Sequence, residues 1–133
     1  MKSGLFFLLF LVSTAIISSG CRLQGSDESS APAVKALVAY LSALSDKDEA
    51  RLSVLSCADW EAKALLELDS FQSVETSLEG LNCQQNVADD GSVTATCQGN
   101  IVASYFGEEQ EFDLSQRTYS MVEQGGNWLV CGY

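Results

Sequence analysis

Apolar side chains are distributed in three different ways along this 133-residue chain. From Leu5 to Ile17 nearly every position is apolar, broken only by Ser13 and Thr14. From Pro32 to Phe71 apolar residues recur every three or four positions, the period of a helix with one buried face. Beyond Phe71 they alternate with polar ones among Val, Thr and aromatic residues, the texture of half-buried strands.

The first run follows Met1-Lys2-Ser3 and precedes Ser18-Ser19-Gly20. A basic start, a short apolar stretch and small residues at its end make a secretory signal peptide. The run is too short for a membrane span, which needs roughly 20 residues. Residues 1–20 are therefore expected to be removed on export. Arg22 to Ser30 is polar and rich in Gly, Ser and acids, so residues 21–31 read as a flexible tether. Residues 32–133 then form one domain.

Three helices are predicted. Pro32 opens the first, and Val34, Leu37, Val38, Leu41 and Leu44 form its stripe. Ser45 is the expected N-cap of the second, with Asp48 completing a variant capping box and Leu52 and Leu55 facing inward. The third runs from about Asp59, its expected cap, to Ser70, with Trp60, Ala64, Leu65, Leu68 and Phe71 on one side.

Turn signals at Asp89-Asp90-Gly91, Gly107-Glu108 and Gly125-Gly126 divide the remainder into strands near 76–87, 92–106, 109–123 and 127–132, an antiparallel meander. With Asp89-Asp90-Gly91 as a three-residue loop, Ala88 faces Ser92 and Cys83 faces Cys97, close enough for a disulfide. Cys57 and Cys131 pair by elimination. Continuing the count places Phe112, Leu114, Val122, Leu129 and Cys131 on the Cys97 face, with Tyr105, Gln116, Thr118 and Ser120 as its polar members. Arg117, Tyr119, Met121, Trp128 and Val130 fall on the opposite face, where the last four would form an exposed apolar patch.

Five cysteines leave one thiol over once two pairs have formed. Ile17-Ser18-Ser19-Gly20-Cys21 resembles the lipobox of bacterial lipoproteins, although Ser18 stands where an apolar residue is usual. That resemblance implies a lipid on Cys21, which would become the new N-terminus and resolve the parity. The alternative is ordinary signal cleavage and free secretion.

The chain carries 18 acids against 7 Lys and Arg. Loss of Lys2 with the signal raises the excess further. Such a surface repels nucleic acid and anionic lipid headgroups, so attachment to a membrane would come from the N-terminal lipid.

Tyr40-Leu41-Ser42-Ala43-Leu44 and the closing Tyr119-Ser120-Met121-Val122-Glu123-Gln124-Gly125-Gly126-Asn127-Trp128-Leu129-Val130 resemble the nuclear transport factor 2-like superfamily, in particular its small bacterial lipoproteins. The resemblance implies an α+β domain of three N-terminal helices packed on a curved four-stranded antiparallel sheet, cone-shaped in the cystatin and nuclear transport factor 2-like manner. It also implies a pocket between sheet and helices. Tyr40, Trp60, Phe71, Tyr105, Phe112, Gln116 and Tyr133 are its expected lining, serving first as core.

The chain has no histidine, which removes Ser-His and Cys-His nucleophile pairs. The cysteines are widely spaced and lack a Cys-x-x-Cys pair, so they read as disulfides rather than zinc ligands. No catalytic residue, metal site or cofactor is expected. The expected function is binding of a small apolar or amphipathic ligand in the cone, or else presentation of a structural or protein-interaction surface at the membrane. A pocket enzyme is the more distant reading.

Overall fold

Pro32 occupies the first turn of α1 (Pro32–Asp46), where its missing N–H leaves no helical hydrogen bond unmade. The computed structural model describes residues 31–133, so the expected signal peptide, Cys21 and nearly all of the tether lie outside the described residues. Val34, Leu37, Leu41 and Leu44 are buried as their spacing predicts, and Ala33, Tyr40 and Ala43 widen the stripe. The helix ends at Lys47 in a left-handed conformation (φ 59°). Asp48 then caps α2 (Glu49–Val54), its carboxylate accepting from the Arg51 N–H at 3.0 Å. Ser45, the expected cap, is instead buried inside α1, because the chain leaves the helix only at Lys47.

Cys57, rather than Asp59, stands at the N-cap of α3 (Ala58–Ser70). The cause is tertiary. The Cys57 N–H donates to the Val130 carbonyl at 2.9 Å, which holds that residue extended. Ala64, Leu68 and Phe71 are buried along α3, with Trp60 and Leu65 half-buried.

β1 (Glu75–Val87) and β2 (Val93–Tyr105) form the predicted hairpin, with Cys83 opposite Cys97. The Ala88 N–H donates to the Ser92 carbonyl and the Gly91 N–H to the Ala88 carbonyl, both at 2.9 Å. A bulge at Gly80-Leu81 against Gly99 then shifts the pairing by one residue. Gly99 (φ 109°) is required there: a Cβ would lie 2.5 Å from the Glu79 carbonyl oxygen.

The predicted third strand is broken. β3 (Glu108–Asp113) pairs with the second half of β2, and β4 (Thr118–Gln124) with the first half. Between them Leu114–Gln116 forms a 3-10 turn, started by the Asp113 carboxylate accepting from the Ser115 N–H, and it carries Leu114 fully into the core. The sheet therefore runs β1-β2-β4-β5, with β5 (Asn127–Val130) at the edge and β3 alongside β2, so it remains four strands wide. α1 packs against β1 and β5, and the expected architecture of three helices on a curved antiparallel sheet is present.

The break overturns the face count beyond it. Ile101 faces Phe112, so an unbroken strand would set Thr118 opposite Ala95; Tyr119 is there instead. One residue is absorbed in the 3-10 turn, and every later side chain changes face. Tyr119, Met121 and Val130 are buried, Trp128, Val122 and Leu129 are half-buried, and Thr118 and Ser120 are exposed. The expected outer patch of Tyr119, Met121, Trp128 and Val130 is thus mostly core.

Both expected disulfides are present, with Cα separations of 4.0 Å for Cys83–Cys97 and 5.3 Å for Cys57–Cys131. The second forms by a different route from the face argument. Ser56 bridges Val130 in parallel, so residues 55–57 extend the sheet beyond β5 and align Cys57 with Cys131. Cys131 follows the inward Val130 and so falls on the other face. Two disulfides point to an oxidising, extracytoplasmic compartment. No helix among the described residues is long and apolar enough to cross a membrane.

Candidate ligand site

Trp60 and Glu67 lie seven residues apart on α3 and so project from one face of it. Arg117, extended at the end of the 3-10 turn, immediately precedes β4, and Tyr119 two residues on lies on the same side of the chain. Tyr40 comes from the buried stripe of α1, and Tyr133 follows β5. These six side chains meet in one cluster that runs from the fully buried Tyr40 to the half-exposed Tyr133.

Its polar centre is an ion pair. Arg117 Nη1 donates to Glu67 Oε1 at 2.8 Å, with 17% and 14% of the two side chains exposed. The guanidinium also lies over the Tyr133 ring, 4.3 Å from its centroid. Tyr133 in turn packs edgewise on Trp60 and Tyr119, with centroids 5.3 and 5.2 Å apart. The Trp60 indole N–H donates to the Tyr40 hydroxyl at 3.1 Å.

Two buried polar atoms in the cluster have no partner: the Tyr119 hydroxyl and Glu67 Oε2. Arg117 lies beside the Tyr119 hydroxyl, but the geometry falls short of a hydrogen bond. A buried hydroxyl without a partner costs about 1–3 kcal/mol, so its presence calls for a reason.

The electrostatics follow from burial. Desolvation pushes the Tyr119 phenol up to about 12; Arg117 opposes the shift and Glu67 adds to it. Burial raises Tyr40 as well, against the Trp60 hydrogen bond and with help from Glu67. Tyr133 is raised by burial and by the Glu67 carboxylate. For Arg117, burial acts to lower the pKa, but Glu67 and Tyr119 outweigh it and hold the guanidinium above its ordinary value. The cluster thus sets three tyrosine hydroxyls, all held toward the neutral form, around the Arg117–Glu67 pair, where they can donate and accept hydrogen bonds.

The seven expected lining residues do not meet in one cavity. Tyr40, Trp60 and Tyr133 belong to the cluster above. Phe71 and Phe112 form a separate edge-on pair, 5.5 Å between centroids. Tyr105 is 56% exposed at the tip of the β2–β3 hairpin beside Phe106. Gln116 is exposed on the 3-10 turn, its amide donating to Asp113 and Ser115. Both were expected on the inner face. Gln116 is displaced by the turn that breaks the strand, and Tyr105 lies at the hairpin tip, past the part of β2 that the helices cover.

Glu67, Arg117 and Tyr119 were not among the expected lining residues. The helical spacing from Trp60 to Glu67 was a usable signal. For Arg117 and Tyr119 the face count pointed the other way; Asp113, whose carboxylate caps the 3-10 turn at Ser115, was the local signal of the break. The larger hollows are open grooves elsewhere. One of about 580 Å³ is lined by Lys47, Gln72, Glu75, Ser104, Tyr105 and Phe106. Another of about 500 Å³ is lined by Pro32, Lys35, Val54, Leu55, Trp128 and Leu129. The described residues contain no group of three or more Cys, Asp or Glu side chains that could hold a metal ion.

The chain matches no family model. It matches no curated protein. Its fold is similar to that in the 1.8 Å structure of Aln2 from a Streptomyces species, with a TM-score of 0.55 over 79% of this chain and 87% of that one. The two are 14% identical, so the likeness shows the fold alone.

Proposed function

We propose that this protein is an exported, lipid-anchored envelope protein whose domain, a cone of the nuclear transport factor 2-like kind, binds a small amphipathic ligand at the Tyr40–Trp60–Glu67–Arg117–Tyr119–Tyr133 cluster without transforming it. The observation that carries the binding reading is the fully buried Tyr119 hydroxyl with no partner, beside an equally unpartnered Glu67 Oε2. A ligand with one polar group and an apolar body would satisfy such atoms. The non-catalytic reading is supported by the chemistry available. The four cysteines of the domain are in disulfides, the chain has no histidine, and Glu67 is committed to Arg117. The anchor rests on Cys21, the fifth cysteine, and on the polar tether after it.

Mass spectrometry of the protein from its native envelope tests both parts. Denatured, the expected mass begins at Cys21 and includes a diacylglyceryl group. Under native conditions a small molecule is expected to remain bound and to be lost from Tyr119→Phe. An unlipidated chain would mean free secretion, and a ligand-free protein would remove the binding reading.

One observation favours a second reading, a protein-interaction module. Phe106 is 92% exposed in a left-handed conformation (φ 50°), stacked edgewise on Tyr105 beside the 580 Å³ groove. Loss of a co-purifying protein from Phe106→Ser, with the small molecule retained, would select it.

A further inference from the structure

Tyr133 is held differently from every other member of the cluster. It is 47% exposed, whereas Tyr40 and Tyr119 are fully buried. It follows Gly132, whose φ of 142° lies in the region that favours glycine and where an added Cβ would rest against the Trp60 ring at 3.6 Å. Its hydroxyl lies beside the Glu67 carboxylate without closing a regular hydrogen bond, and Glu67 Oε2 stays unpartnered. The walls around its ring are fixed independently. Trp60 is tied to Tyr40, Arg117 to Glu67, and Tyr119 to the sheet through its pairing with Ala95.

We propose that Tyr133 is a built-in, displaceable occupant of a phenol-binding slot, and that the slot takes a small planar aromatic compound carrying a hydrogen-bond donor in its place. This deepens the ligand-binding reading and rests on it. Three features define the ligand class. Arg117 covers one face of the ring site at 4.3 Å, and Trp60 and Tyr119 meet the ring edge-on, so the occupant is flat and aromatic. The Tyr133 hydroxyl lies beside Glu67, and that carboxylate keeps one oxygen, Oε2, without a donor, so the occupant carries an O–H or N–H on this side of the ring. That same carboxylate repels an anion, so aromatic acids are excluded. A free ligand is not constrained by the backbone at Gly132 and can move nearer to Glu67 than the tethered ring does.

The test uses p-cresol, the side chain of tyrosine as a free molecule, on the full mature chain with both disulfides intact. Binding is read by calorimetry and by thermal unfolding. Tyr133→Ala is expected to bind p-cresol at least about tenfold more tightly than the wild type, which must first expel its own ring, and p-cresol is expected to return its melting temperature toward the wild-type value. p-Toluate, which carries an anionic carboxylate in place of the hydroxyl, is expected to do neither. Equal p-cresol affinity in wild type and variant, no binding to a folded variant, or equal binding of p-toluate would each overturn the slot. Tyr133→Leu, which keeps an apolar side chain beside Trp60, carries the same readouts where Tyr133→Ala fails to fold. A p-cresol-binding variant of a protein that carries no native ligand would sustain the slot and sink the broader reading. A ligand-bearing wild type whose Tyr133 variants ignore p-cresol would do the reverse.

Discussion

Arg117 Nη1 donates to Glu67 Oε1 at 2.8 Å, joining the start of β4 to α3 across 50 positions of sequence. Both side chains are mostly buried, so removing one leaves the other charge with little solvent to receive it. Arg117→Leu is expected to destabilise the domain by about 2 kcal/mol in urea unfolding. The double variant Arg117→Leu/Glu67→Leu is expected to recover most of that loss, because no charge is stranded. A double variant weaker than the single one would mean that the pair contributes more than its mutual compensation.

Tyr40 and Tyr119 make opposite predictions for the same substitution. Tyr40→Phe removes the acceptor of the Trp60 indole N–H and is expected to cost about 1 kcal/mol. Tyr119→Phe removes a buried hydroxyl that has no partner and is expected to leave the ligand-free domain unchanged or stabilise it by up to about 1 kcal/mol. Denaturant midpoints of the two variants at equal slope decide the matter. A clear loss for Tyr119→Phe would show that the hydroxyl is satisfied.

Alkaline pH should loosen the fold through the phenols. Burial raises Tyr119 to about 12 from an unfolded value of about 10, and Tyr40 and Tyr133 are raised with it. The folded state then holds protons that the unfolded state releases, so this stability is fully present below about pH 10 and is lost as pH rises through the folded values. Urea midpoints should fall above about pH 10, with less of a fall in Tyr119→Phe. A flat profile across that window would contradict the burial assigned to these rings.

Gly99 should tolerate no side chain. Its φ of 109° and the 2.5 Å approach of an added Cβ to the Glu79 carbonyl set strain against rigid backbone. Gly99→Ala is expected to destabilise by about 2 kcal/mol or more, whereas Gly91→Ala, at a loop position with open space, carries only the milder cost of its positive φ. Comparable losses at the two sites would remove the case for a tight bulge.

The Cys57–Cys131 bond closes a separation of 74 residues, and Cys83–Cys97 one of 14. In the loop-entropy account the longer bond contributes roughly 4 kcal/mol and the shorter about 3. Cys131→Ser also frees the strand edge that aligns Trp60 with Tyr133, since Cys57 caps α3 three residues before Trp60 and Cys131 precedes Tyr133 by two. It is expected to lower the melting temperature more than Cys97→Ser and to weaken the Trp60–Tyr133 contact, read by near-ultraviolet circular dichroism. An equal drop for both variants would separate that contact from the disulfide.

The local patterns of the chain were sufficient for much of this architecture. Leu37, Leu41 and Leu44 at helical spacing determined the buried side of α1, and Asp89-Asp90-Gly91 determined the register that sets Cys83 against Cys97. Such features depend on residues within a few positions of one another, where backbone geometry leaves few alternatives. The candidate site was legible only in part. Tyr40, Trp60 and Tyr133 could be named as aromatic lining, but Arg117 and Tyr119 were placed on the wrong face. Only the tertiary structure decided their side, because residues 114–116 turn as a 3-10 segment instead of continuing the third strand, and one residue is absorbed there. Strand alternation has a period of two, so a single residue absorbed at that point reverses every side chain that follows.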